Sequence, residues 1–167
     1  MIKRELYMNR IRPFIGGELI KVMTGIRRSG KSVMLELIKE ELAEAGVAPS
    51  QMISINFEDM RYSHLQTATA LHDEIIKRAE GIEGKAYLFF DEIQEVEGWE
   101  KCVNSLRVAL DCDIYITGSN AKLLSGELAT YIGGRYVEFV IYPFSFAEFL
   151  ELYHTIAPSD SIQQCFQ

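Results

Sequence analysis

Residues 24–32 read TGIRRSGKS, and this stretch decides the fold. It fits the pattern G-x-x-x-x-G-K-S, with Gly25, Gly30, Lys31 and Ser32 at the fixed positions. The apolar run ELIKVMTG at residues 18–25 predicts a strand before it, and KSVMLELIKEELAEAG at residues 31–46 predicts a helix after it. In that setting the N–H groups of the loop and of the helix N-terminus bind phosphate. A plain glycine turn is the weaker interpretation.

The side chains of the loop have different expected roles. Lys31 is expected to reach the β- and γ-phosphates, and the Ser32 hydroxyl to bind Mg²⁺. Arg27 and Arg28 occupy positions that the pattern leaves free, so phosphate capture does not require them. They either point outward into solvent or onto a neighbouring segment, or one of them meets a partner domain or an acidic residue across the site. The predicted nucleotide-binding residues are Gly25, Ile26, Arg27, Arg28, Ser29, Gly30, Lys31, Ser32 and Val33.

Strand-like and helix-like patterns alternate along the rest of the chain. Further strands are predicted at residues 51–59, 85–92, 113–120 and 135–143, and further helices at 66–81, 98–110 and 121–134. This alternation predicts an α/β fold with a mainly parallel sheet. Ligands bind at the carboxyl ends of the strands in such sheets, which is where the loop and several polar residues fall.

An acidic pair follows the most apolar of these strands, in YLFFDEIQ at residues 87–94. Two charges cannot continue a buried run, so both acids are expected at the tip of the strand. Asp91 is predicted to help hold Mg²⁺ opposite Ser32, and Glu92 to act as the general base on a water molecule. Such a pair on its own is usually a solvated turn, but its position downstream of the glycine loop favours the catalytic interpretation.

Three other polar residues stand at strand ends. Ser119 or Asn120 is predicted to sense the γ-phosphate, with an equally good alternative for Asn120 as the N-cap of the next helix. Asn56 is a candidate to restrain Glu92, although an ordinary strand-end role is favoured. The residues themselves predict Glu92, Lys31 and Asn120 as catalytic, with Ser32 and Asp91 as metal ligands.

Composition limits the class of protein. The chain has 167 residues, which suits one domain, and a net charge of −7, which argues weakly against a free duplex-binding domain. No apolar run has the length of a membrane span, and no secretory signal is visible. Three widely spaced cysteines without a C-x-x-C pattern favour reduced thiols and a cytoplasmic location.

Three segments together resemble the AAA+-like ATPases of bacteria and archaea that carry a C-terminal domain of unknown function. They are GIRRSGKS at 25–32, YLFFDEIQEVEGW at 87–99 and ITGSNAKLLSGELATYIGGRYVEFVIYPFSFAEFL at 116–150. The resemblance implies a five-stranded sheet of order 5-1-4-3-2, ATP and Mg²⁺ as ligands, and Glu92 as catalytic base. It also implies that Arg135 is an arginine finger acting on a neighbouring subunit of a homo-oligomer; the alternative is a surface ion pair.

The same resemblance implies an N-terminal fragment. Residues 1–153 would form the ATPase core, and residues 154–167 would begin a downstream segment that leads to the missing C-terminal domain. We therefore expect a switch or motor domain whose ATP hydrolysis is weak without the downstream lid. A nucleotide-binding scaffold without turnover and a small-molecule kinase are the alternatives. The protein or nucleic-acid partner is not specified by these residues.

Overall fold

The computed structural model describes residues 3–119, 123, 132–146, 148–150 and 153. Its strands are β1 (Ile20–Thr24), β2 (Met52–Asn56), β3 (Ala86–Asp91), β4 (Cys112–Gly118) and β5 (Tyr136–Val140). Its α-helices are α1 (Glu5–Ile11), α2 (Lys31–Glu44), α3 (Ala68–Ala79) and α4 (Trp99–Ala109). The alternation predicted from the sequence is confirmed, with ends that differ by at most three residues. The predicted helix at 121–134 lies largely outside the described residues.

Helix α1 was not predicted from the sequence. It has seven residues, and its buried side chains are Tyr7, Met8 and Ile11. Two turns carry too few apolar positions for a helical period to stand out from a charged terminus. The helix owes its place to packing against the sheet rather than to a strong local pattern.

All five strands belong to one parallel sheet of order β2-β3-β4-β1-β5. This is the predicted order 5-1-4-3-2 counted from the other edge. The register pairs Thr24 with Gly118 and Asn56 with Asp91. The carboxyl ends of the strands therefore lie at one edge of the sheet, where β4 separates the loop after β1 from the acidic tip of β3.

The sheet is buried on both faces, which explains why its central strands are continuous apolar runs. Phe89 and Tyr115 face α1 and α2, and their rings stack with centroids 4.9 Å apart. Phe90 and Ile116 face α3 and α4 on the other side. Since successive strand residues point to opposite faces, each pair of neighbours supplies both cores.

A buried ion pair lies near the amino ends of the central strands. Lys21 of β1 pairs with Asp113 of β4, and neither side chain is exposed. Asp113 also accepts hydrogen bonds from the Tyr115 hydroxyl at 2.7 Å and from the Gly16 N–H at 2.6 Å. Burial lowers the pKa of Lys21, an effect that the adjacent Asp113 carboxylate opposes. This network ties the chain before β1 to the sheet at the end away from the glycine loop.

Candidate functional site

The glycine loop connects the end of β1 to the start of α2, and two of its positions require glycine. A Cβ on Gly25 would lie 2.2 Å from the carbonyl oxygen of Ile141, which is closer than two non-bonded atoms can approach. Gly30 has φ +94°, in the left-handed region that favours glycine. At these two positions the loop therefore presents backbone atoms and no side chain. This arrangement fits a phosphate group held by N–H donors.

Lys31 lies at the first position of α2 and is only 5% exposed. Its ammonium nitrogen is 3.3 Å from the Ile26 carbonyl oxygen and 3.4 Å from that of Gly25. It is also 3.4 Å from Oε1 of Glu92. All three contacts are longer than the usual range of about 2.7–3.2 Å for N–H···O bonds. The ammonium is thus held over the loop by weak contacts that an anion can displace.

Asp91 is the last residue of β3 and is 6% exposed. Its Oδ1 accepts a hydrogen bond from the Thr117 hydroxyl at 2.5 Å. The same hydroxyl oxygen accepts the N–H of Glu92 at 2.9 Å. Thr117 therefore connects the tip of β3 to the neighbouring strand β4 and fixes one oxygen of the Asp91 carboxylate. This suits a carboxylate that has to keep its orientation beside a cation.

Glu92 has a left-handed backbone, with φ +54° and ψ +48°. This conformation is costly for a residue with a Cβ, and such strain is concentrated at functional sites. Its Oε1 faces Lys31, and its Oε2 accepts a hydrogen bond from Nε2 of Gln94 at 2.6 Å. The structure therefore brings together two of the four predicted catalytic residues, Lys31 and Glu92, across the space between the loop and β3.

A cavity of about 390 Å³ lies between the loop and the strand tips. The residues that line it are Arg27, Arg28, Gly30, Lys31, Ser32, Val33, Glu58 and Glu92. Ser119, at the end of β4, lines an adjoining space together with Arg27 and Glu58. Arg27 and Arg28 are both exposed. They border the cavity as solvated side chains, and an acidic residue from the chain after β2 borders it with them.

The remaining candidates lie in different places. The Asn56 side chain accepts the N–H of Glu58 at 3.0 Å and closes a local turn, as the favoured interpretation expected. Asn120 lies outside the described residues. Arg135 is exposed and directly precedes β5, at the end of the sheet opposite Asp91. Arg135 is not among the residues that line this cavity, and its role as a finger stays a prediction.

Sequence reasoning missed several residues that border or support the site. Thr117 carries the hydroxyl group in the otherwise apolar run IYIT at residues 114–117. A polar residue in such a run could have indicated a role near the site. Gln94 comes two residues after the acidic pair. This spacing does not indicate a contact with Glu92 unless the backbone turn at Glu92 is known. Glu58 follows β2 in an ordinary acidic turn. Arg4 supports the loop from the N-terminal segment, and nothing in its local sequence indicates that.

Comparison with known proteins agrees with this geometry. A family model described as AAA domain matches residues 18–150. The chain belongs to the AAA domain family. It is therefore a P-loop domain of the ATP-binding AAA+ type. The matched range begins before β1 and extends through the segment after β5, so it includes the loop, the acidic tip and Arg135.

Two curated relatives of this AAA domain carry the description uncharacterized protein. One, from Haemophilus influenzae, is 48% identical over 150 residues, which cover 90% of this chain and 38% of that protein. The other, from Methanocaldococcus jannaschii, is 41% identical over 133 residues, which cover 79% of this chain and 28% of that protein. The chain thus spans well under half the length of these relatives.

A solved structure shares the fold. It is the Orc1 protein of Aeropyrum pernix in complex with DNA, with a TM-score of 0.64 and 18% identity. The match covers 95% of this chain and 50% of that one. At this identity the likeness concerns the fold. No helix in the described part of the AAA domain is both long and apolar enough to cross a membrane.

Proposed function

We propose that this AAA domain binds Mg²⁺-ATP and hydrolyses it, and that it works as a switch or motor in a longer protein. One observation carries the proposal: the Lys31 ammonium and the Glu92 carboxylate lie 3.4 Å apart in a cavity at the carboxyl ends of the strands. A lysine over a glycine loop binds phosphate, and a carboxylate beside it can activate water. Binding of nucleotide alone does not require a glutamate in a strained backbone conformation at this point.

The loop and Lys31 provide the binding part of the reaction. Backbone N–H groups around Gly30 and the N-terminus of α2 supply fixed partial positive charge. Lys31 is nearly buried, so its charge acts where little water screens it. When a phosphate takes up this ammonium, the weak contacts to Glu92 and to the loop carbonyls are given up.

Ser32 and Asp91 are the residues that would hold Mg²⁺. Ser32 is exposed on the first turn of α2 and lines the cavity, and Asp91 ends β3 at the same edge of the sheet. Hydroxyl and carboxylate oxygens are the ligands this cation prefers. The bound ion would offset negative charge on the phosphates. Thr117 has already oriented one oxygen of Asp91, so this carboxylate needs little rearrangement.

Glu92 provides the base. In the structure its two oxygens have different partners, Lys31 for Oε1 and Gln94 for Oε2. Once Lys31 turns to phosphate, Oε1 is left without its partner, whereas Gln94 still holds Oε2. The freed oxygen then faces the cavity and can accept a proton from an attacking water. General bases of this kind contribute about 10²–10⁴-fold to rate.

Phosphate release and nucleotide titration test the proposal in Lys31→Ala and in Lys39→Ala. Lys39 lies on the same helix but pairs with Glu36, so it is the matched control. A charge-assisted hydrogen bond contributes about 1.5–3 kcal/mol, so Lys31→Ala should bind ATP roughly 10- to 150-fold more weakly and lose turnover. Lys39→Ala should behave like the parent.

Three results would contradict the proposal in different ways. Unchanged affinity and turnover in Lys31→Ala would refute the site. Tight ATP binding with no phosphate release, in this chain and in a longer protein, would favour a scaffold. Faster transfer to a small acceptor than to water would favour a kinase.

A further inference from the structure

Arg4 is a buried arginine outside the glycine loop. It precedes α1, and its side chain is 1% exposed. Its own backbone is left-handed, with φ +43°. Arginine is almost never fully buried unless its charge is paired and its donors are used. The hydrogen-bond acceptors of this side chain therefore indicate its role.

The guanidinium group of Arg4 joins three distant parts of the chain. Nη1 donates to the Ser29 carbonyl oxygen at 2.8 Å, and Nη2 donates to the Tyr142 carbonyl oxygen at 2.7 Å. Nε donates to Oε1 of Glu148 at 2.9 Å. The Tyr7 ring lies 4.6 Å from the guanidinium carbon and packs against it. A planar fork with fixed donor directions can make these three bonds together, and a lysine cannot.

The contact with Ser29 reaches the phosphate loop itself. The Ser29 carbonyl and the Gly30 N–H belong to one peptide group, which is planar and trans. Because Arg4 holds the carbonyl on its own side, the Gly30 N–H is directed to the opposite side. Gly30 lines the cavity and directly precedes Lys31. Arg4 thus sets the direction of a donor in the phosphate loop without touching the cavity.

The contacts Glu148–Arg4–Ser29 form a contact chain, and its other end, Glu148, lies in the segment after β5. Glu148 uses its second oxygen, Oε2, to accept the Ser145 N–H at 2.8 Å, and its own N–H is donated to the Ser145 hydroxyl at 3.3 Å. Burial acts to raise the pKa of Glu148, but hydrogen bonds from Arg4 and Ser145 outweigh it, so that the pKa is lowered. Glu148 is therefore charged at neutral pH and tied to the local fold of its segment.

We propose that Arg4 is a positioning residue for the phosphate loop and that the chain Glu148–Arg4–Ser29 couples the segment after β5 to nucleotide affinity. This inference rests on the proposed nucleotide site but not on hydrolysis. When Glu148 is in place, Arg4 is held against Ser29 and the loop keeps its binding conformation. When the segment after β5 moves, Arg4 loses an anchor and the Ser29–Gly30 peptide is free to rotate.

Titration with a fluorescent ATP analogue tests the coupling in Glu148→Gln and Arg4→Lys. Glu148 is not among the residues that line the cavity, and its contact with Arg4 connects it to the loop. Residues that couple sites in this way typically change affinity by about two- to thirtyfold, and both variants should bind more weakly within that range. Arg12→Lys is the control with the same substitution: Arg12 pairs with Glu5 and Glu41 at the surface, and neither partner belongs to the loop. Its affinity should stay within about twofold of the parent.

A double-mutant cycle separates coupling from general damage. If Glu148 acts through Arg4, Glu148→Gln should have no further effect on affinity in the Arg4→Lys protein. A purely structural role would lower the melting temperature without nucleotide and leave the affinity of the folded protein unchanged. Should Arg4→Lys fail to fold, Glu148→Gln alone still decides, because Glu148 is partly exposed and Gln keeps its shape.

The outcomes distinguish this inference from the proposed function. Parental affinity in folded Glu148→Gln would overturn the coupling. If Lys31→Ala loses binding in the same titration, the nucleotide site stands and only the coupling is refuted. If Lys31→Ala also keeps parental affinity, the loop is not the binding site and both proposals are refuted.

Discussion

Replacing Glu92 by glutamine should change turnover and ATP affinity in opposite directions. The amide has the shape of the carboxylate but cannot accept the proton of an attacking water. Loss of a general base lowers rate by about 10²–10⁴-fold, which corresponds to roughly 2.7–5.4 kcal/mol in the barrier. The substitution leaves the loop, Lys31 and Asp91 in place, so ATP should still bind.

The affinity should rise because Glu92 competes with phosphate for Lys31. Oε1 of Glu92 lies 3.4 Å from the ammonium, with the two side chains 19% and 5% exposed. Ion pairs with solvent access contribute about 0.2–1 kcal/mol, and this pair has to break when ATP binds. Glu92→Gln should therefore bind ATP up to about fivefold more tightly. A residue with a merely structural role would not tighten binding when it is replaced.

Single-turnover phosphate release measures the chemical step, and fluorescence titration measures affinity separately. Turnover at the parental rate would assign the base to another residue. A fall in affinity that matches the fall in rate would indicate damage to the site rather than loss of a base.

Gln94→Leu adds an internal check, since it removes the bond to Oε2 of Glu92. It should lower turnover in the parent and have no further effect in Glu92→Gln. A further loss in the double variant would show that Gln94 acts on something other than Glu92.

Three further predictions concern stability, thiol chemistry and assembly. Asp113→Asn leaves the Lys21 ammonium buried without its partner, so urea unfolding should show a loss of about 3–5 kcal/mol; a loss below about 1 kcal/mol would mean that water reaches Lys21. Burial raises the pKa of Cys102 to about 12, so peptide mass spectrometry should find it unlabelled by iodoacetamide at neutral pH until the protein unfolds; equal labelling before and after unfolding would contradict this. Arg135→Ala should keep ATP affinity but lose about 10³–10⁵-fold in turnover, with partial recovery on mixing with Glu92→Gln subunits of a longer, assembling protein; full turnover in Arg135→Ala alone would end the finger hypothesis.

The amino-acid sequence by itself determined the elements whose causes are local. The glycine loop was predictable because its functional residues are contiguous and its chemistry depends on residue type and spacing. The strands and most helices were predictable because apolar runs or apolar periodicity mark them, as in the run AYLFF at residues 86–90 before the acidic tip. Periodicity did not specify the order of the strands. That order came from the resemblance to a family, and the register of the sheet confirmed it.

Only the tertiary structure decided which distant residues serve the loop. Arg4 is 25 residues from Ser29 and 144 from Glu148, and Thr117 is 26 from Asp91. Local sequence carries no signal for such pairs, because packing of the whole sheet brings them together after the chain has folded. The pairing of Glu92 with Lys31 depends in addition on a backbone conformation that side-chain propensity disfavours. The surrounding fold holds this strained turn in place, and for that physical reason the sequence could identify Lys31 and Glu92 as candidates but not how they meet.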